Sequence, residues 1–233
     1  MREQETQLQQ MLTKLRTKLL MMGAAVGIAL DEACAALEEG NAVRAAEVVD
    51  GDAAVNAMEN EINELALSLL VRNQPVAQDL RFVVGALRMV IDLERIGDEA
   101  ASIAERALAM EMPLSREVLE AAGPLMRSAI TMYTQAMDGF RTADNDAALR
   151  LCRVDATIAG QEMAALRKVM EFFCGKRDGE GKGVGLEGVN GILMCRSLNR
   201  ICRRCSNIAE HTYFIVEGAN IKHNPALEYA SAT

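Results

Sequence analysis

The chain has no tryptophan, few aromatic residues (3%), two histidines and four prolines in 233 positions. Strand-rich folds draw on aromatic and β-branched side chains. This sequence is built instead from Ala, Leu, Met, Glu and Arg, the residues that favour helices. The scarcity excludes a β-sandwich, and 50% apolar content excludes a disordered chain. Basic residues are also short: 25 Lys and Arg stand against 33 Asp and Glu, a net charge of −8. A general nucleic-acid binder needs a basic face to displace counterions, so no nucleic-acid partner is expected.

Long apolar runs are missing too. The longest without a charge, Leu19 to Leu30, lies between Lys18 and Asp31 and falls short of the ~20 residues of a membrane span. Read as a signal peptide, it would carry Glu3 and Glu5 in the n-region. No direct membrane insertion is expected, and the protein reads as cytoplasmic. Six cysteines are present (34, 152, 174, 195, 202 and 205); in a chain of this size without a leader they read as reduced thiols filling small core spaces. Cys202-x-x-Cys205 lies inside a helical run with no second pair at ligand spacing, and reads as structural.

What is there is helix. Breakers at Gly40-Asn41, Asn73-Gln74-Pro75, Met112-Pro113, Thr142 to Asp146 and Gly175 to Gly191 leave six long segments. The last breaker carries seven glycines, lacks the Lys-Ser/Thr of a phosphate loop, and reads as a linker. Asn145 and Asp146 are expected to cap the fifth helix, and Gly218 to stop the sixth. The segments repeat: Leu93-Glu-Arg-Ile returns as Leu198-Asn-Arg-Ile at an offset of 105, and Asp52…Glu59 as Asp155…Glu162 at 103. These spacings predict an all-α fold of two tandem three-helix bundles, six antiparallel helices in all, covering 1–112 and 113–233 with a boundary near Pro113.

In the third segment Met89, Leu93, Ile96, Ala100 and Ile103 share a core face. Beside it runs a stripe that begins apolar (Leu80, Val84, Leu87, Ile91) and turns acidic at Glu94, Asp98 and Glu105. In the second segment Asp52, Asn56 and Glu59 flank a core face of Val55, Met58 and Ile62 in the same way. If the two helices pack antiparallel, these oxygens meet at the edge of the core, where like charges repel unless a cation lies between them. Oxygen-only donors suit hard cations: Mg, Mn, Ca, or Fe held by carboxylate. The other reading is a solvated face neutralised by Arg81, Arg88 or Arg95. Nothing resembles a nucleophile with its base. His211 and His223 lack the Glu three residues ahead that di-iron bundles use.

Leu93-Glu-Arg-Ile-Gly-Asp98, Ile103-Ala-Glu105, Gln74-Pro-Val-Ala-x-Asp-Leu-Arg81, the Asp52…Glu59 run and the closing Gly218-x-x-Ile221-Lys-His223 together resemble the PhoU family, accessory proteins of phosphate transport. The resemblance runs from Leu12 almost to the end of the chain. It implies a dimer that negatively regulates the phosphate-starvation response through a phosphate ABC importer and a membrane sensor histidine kinase. It also implies multinuclear metal clusters, here on Glu94, Asp98, Asp52 and Glu59, with Asn56 where an acid is common. The second repeat departs: Asn199 and Arg203 replace the Glu and Asp, leaving Asp155 and Glu162 without partners. Arg203 is therefore expected to bridge to Asp155 or Glu162 in a metal-free bundle. Met- and Ala-rich faces left over after bundle packing also point to a homodimer. The regulator is expected not to be an enzyme; a metal-dependent enzyme on a carboxylate bundle and a plain helical interaction module are the alternatives.

Overall fold

The structure, a computed structural model, describes residues 2–110, 114–175 and 181–221. Among these there is no strand, and seven helices follow in order: α1 (Arg2–Glu39), α2 (Ala42–Asn73), α3 (Ala77–Ala109), α4 (Arg116–Thr142), α5 (Asn145–Cys152), α6 (Asp155–Gly175) and α7 (Gly181–Glu217). The first three pack as one bundle and the last four as a second. Pro113 lies outside the described residues.

Helix ends follow local chemistry. Asn41 caps α2, its side-chain oxygen accepting from the backbone N–H of Val43 (3.1 Å) and Arg44 (3.2 Å). Gly218, at φ +76°, ends α7 as expected. Two details differ from the sequence reading. Asp144, not Asn145 or Asp146, caps the fifth helix, accepting from Ala147 N–H at 2.9 Å. That helix is also broken in two. The N–H groups of Arg153 and Val154 bond back to Arg150 and Leu151, tightening the last turn of α5, and Val154 O then accepts the first bonds of α6.

The glycine-rich stretch is the larger correction. Helix α7 already begins at Gly181, so only 176–180 lie between the helices. Packing overrides propensity here: a Cβ on Gly188 would sit 2.7 Å from the Phe173 ring, and one on Gly191 would sit 2.9 Å from Val118. Small residues let α7 press against α4 and α6.

With up to two charges tolerated, α1 has the length and apolarity of a membrane span. In this fold its apolar face is core: Leu15, Leu19, Met22, Val26 and Ala33 are fully enclosed. A second face meets the other bundle, where the Tyr133 hydroxyl donates to Gly23 O at 2.5 Å. The Arg16 guanidinium also lies 5.3 Å from the Phe140 ring centre. Four of the cysteines are buried, and none of the six is joined in a disulfide.

The bundles join chiefly through α3 and α7. Gly85 meets Ile215, Asp92 meets Asn207, and Glu99 meets Arg200, so numbers rise on one helix as they fall on the other and the pair is antiparallel. One continuous apolar cluster runs through both bundles.

Candidate metal centre

Helices α2 and α3 pack along their length, which sets the two acidic stripes face to face. Asp52 lies where Asp98 and Glu105 act on it, and Glu94 where Asp98 and Glu59 do. Burial, then the neighbouring Asp98 charge, pushes the Asp52 carboxyl above its ordinary range, against a hydrogen bond from Asn56. The Glu94 carboxyl is raised too, first by burial, then by Asp98 one turn on, with Arg95 partly offsetting it. Asp98 thus stands within reach of both Asp52 and Glu94, with Asn56 on Asp52 and Glu59 near Glu94.

The donors are partly engaged. Asn56 Nδ2 donates to Asp52 Oδ2 at 3.0 Å. Arg95, itself mostly exposed, stands 3.3 Å from both Glu94 Oε2 and Asp98 Oδ2. Asp52 Oδ1 is buried with no hydrogen-bond partner, a costly state for a carboxylate oxygen. Among the described residues, no three His, Cys, Asp or Glu side chains close on one point. The oxygens fit a hard cation in kind, and the orphaned Asp52 oxygen is the one most in want of a positive partner. In geometry the cleft is open, with Arg95 holding one side of it.

In the second bundle, position 199 answers to Glu94 and position 162 to Glu59. Asn199 Nδ2 donates to Glu162 Oε2 at 2.7 Å. An amide beside a carboxylate is satisfied without a cation, where two carboxylates would repel. The expected bridge from Arg203 to Glu162 is not what forms: Asn199 takes that carboxylate. Arg203 is exposed and makes no ion pair among the described residues. The Asp155 side chain lies outside the described residues.

The sequence reading missed the polar seam between the bundles. Asp92, only 4% exposed, accepts from Arg204 Nη1 (3.0 Å) and Asn207 Nδ2 (3.0 Å) and meets His211 Nε2 (2.9 Å). Burial alone would push this carboxyl up; the hydrogen bonds from His211, Asn207 and Arg204 more than reverse that and hold it below the usual range. Farther along, Arg200 grips Glu99 through two nitrogens and also donates to Ser197 Oγ at 3.1 Å. An acid recurring at seven-residue spacing on the core side of α3 (92, 99) was the signal available in the sequence.

A duplicated helical unit, with facing carboxylates in one copy and an amide–carboxylate pair at the matching place in the other, defines the class as a tandem all-α bundle. The PhoU domain model matches twice, at residues 19–107 and 125–212, and the chain belongs to the PhoU family. It is 30% identical over 212 residues to the phosphate-specific transport system accessory protein PhoU of Serratia marcescens, covering 91% of this chain and 85% of that one. The corresponding homolog of Pseudomonas putida is 33% identical over 216 residues, covering 91% and 81%. The crystal structure of PhoU from Pseudomonas aeruginosa superposes with a TM-score of 0.83 at 33% identity, covering 91% of this chain and 99% of that one. That of the phosphate transport system regulatory protein PhoU from Streptococcus pneumoniae gives 0.81 at 22% identity over 92% and 99%, a likeness of fold.

Proposed function

We propose that the protein regulates phosphate uptake and represses the phosphate-starvation response, acting in the cytoplasm on a phosphate ABC importer and a sensor histidine kinase. The observation that carries this reading is family membership across both repeats, with relatives named as accessory proteins of phosphate-specific transport. Deletion of the gene should derepress a phosphate-starvation reporter at high phosphate, and an unchanged reporter would overturn the reading.

Within that role the first-bundle cleft holds a hard cation (Mg, Mn, Ca or Fe) on Glu94, Asp98, Asp52 and Glu59, with the Asn56 amide oxygen beside them. Support comes from the orphaned Asp52 oxygen and from the raised carboxyls of Asp52 and Glu94, which a cation would relieve. The second bundle stays free of metal because Asn199 already satisfies Glu162. The chain associates as a homodimer through apolar side chains left on its surface, among them Leu67, Val71, Met163 and Met170. A single-chain mass in sedimentation at micromolar concentration would refute the dimer.

A further inference from the structure

A groove runs between α1 and α2 of the first bundle, with Gly97 of α3 also in its lining. It has a volume of about 320 Å³, at the small end of ligand pockets. Its walls are apolar: Ala25, Ile28 and Ala29 from α1, Val48 and Ala54 from α2. Ile28 is 65% exposed there, in the uncharged stretch between Lys18 and Asp31. The mouth is acidic, with Glu32, Glu47 and Asp52 lining it. Arg44 is drawn to Glu32 (3.4 Å) and Glu39 (3.6 Å). Glu47 and Asp52 form no ion pair among the described residues.

The fold itself makes such a groove, because the second bundle has one at the matching place. Shifted by 103 positions, Ile28, Glu32, Ala54 and Val55 become Thr131, Gln135, Thr157 and Ile158, and these line a groove of about 380 Å³ between α4 and α6. Its chemistry is different: hydroxyls and amides, with Arg127 at the edge instead of carboxylates. The apolar floor and acidic mouth therefore belong to the first bundle's own sequence, not to the architecture.

We infer that the α1–α2 groove docks a basic amphipathic helical segment of a partner protein. Such a segment would set its aliphatic side chains against Ile28, Ala29 and Val48 and its Lys or Arg side chains against Glu47 and Glu32, leaving Asp52 to the cation site. The charge complementarity is with the mouth itself and with a chain of net charge −8. The inference deepens the accessory-protein reading by giving a partner's segment a place to lie.

Gly51 offers a test that spares the fold. It lines the groove, and a Cβ added there meets nothing within 4 Å, so Gly51→Phe fills the groove from within a helix. Gly160 on α6 is equally open and lies outside both grooves, so Gly160→Phe is the control. The probe is a fluorescein-labelled amphipathic peptide of about 16 residues, Leu on one face and Lys on the other, read by anisotropy on the full chain in EDTA. Saturable binding that weakens with salt is expected, with no binding of the matching Leu–Glu peptide. Gly51→Phe and, separately, Ile28→Asp should each weaken binding by about tenfold or more, while Gly160→Phe binds like the parent. Circular dichroism melts check that each variant is folded. Equal binding by Gly51→Phe and Ile28→Asp, equal loss in Gly160→Phe, or binding of the Leu–Glu peptide would overturn the inference. So would no binding of the Leu–Lys peptide, while the regulatory reading would still stand or fall on the starvation reporter.

Discussion

Asp92 sits 4% exposed in the seam between the bundles, and its three partners lie on the opposite helix. Removing its charge as Asp92→Asn leaves Arg204 without a counter-ion and should cost on the order of 2 kcal/mol at neutral pH, read by urea or thermal unfolding. The pH dependence follows from the lowered carboxyl. The folded chain resists protonation at Asp92 more than the unfolded chain does. Its contribution is therefore complete above the unfolded carboxylate value near 4 and drains away as acid approaches the lower folded value. The parent and Asp92→Asn should thus differ fully above about pH 5 and draw together as the pH falls past the ordinary carboxylate value toward the lowered folded one. A constant gap across that range would count against the buried charge. In the sequence Asp92 reads as one acid among 33, because the residues that enclose it lie 112 to 119 positions away. Glu94 and Asp98, in contrast, were legible: two carboxylates one turn apart beside an apolar stripe repel by themselves.

At the scale of a helix, identical substitutions carry opposite signs according to what the helix touches. Gly51 in α2 has open space around its missing Cβ, whereas Gly188 in α7 lies under the Phe173 ring, 2.7 Å from where a Cβ would stand. Gly51→Ala should stabilise the chain by about 0.5–1 kcal/mol through backbone entropy alone. Gly188→Ala gains the same entropy but must push an aromatic ring aside, and should lower the melting temperature. These glycines also mark the limit of reading helices from sequence. Glycine propensity argues for a linker over 175–191, and only the packing of α7 on Phe173, Val169 and Val118 makes part of it helical. The break between α5 and α6 was equally hidden, since no Pro or Gly stands at Arg153-Val154. The long amphipathic segments α1 to α4 needed no such rescue, and their periodicity located them.

Across the whole molecule the duplication keeps the bundle plan, apart from the break between α5 and α6, and is unequal in chemistry. One copy gathers carboxylates and the other closes them with an amide. Metal analysis of the purified chain should find cation bound per chain in the first bundle only. Glu94→Ala with Asp98→Ala should abolish it, and Glu162→Ala should leave it unchanged; retention of metal in the double variant would move the site elsewhere. The repeat itself was readable from two offsets, 105 and 103, because substitutions had spared the core stripes.

The α3–α7 seam has a further consequence, for how the two halves recognise each other. Its acids, Asp92 and Glu99, stand on α3, and its cations, Arg200 and Arg204, stand on α7. By the repeat, Arg204 occupies the place of Glu99. A second half meeting its own kind across this face would therefore set Arg200 against Arg204, guanidinium against guanidinium. The same offset puts Arg95 at the place of Arg200, so Glu99 of a first half finds a cation in either kind of partner. The repulsion is one-sided: it turns the second half away from its own kind, and the seam serves as the address that sends it to a first half.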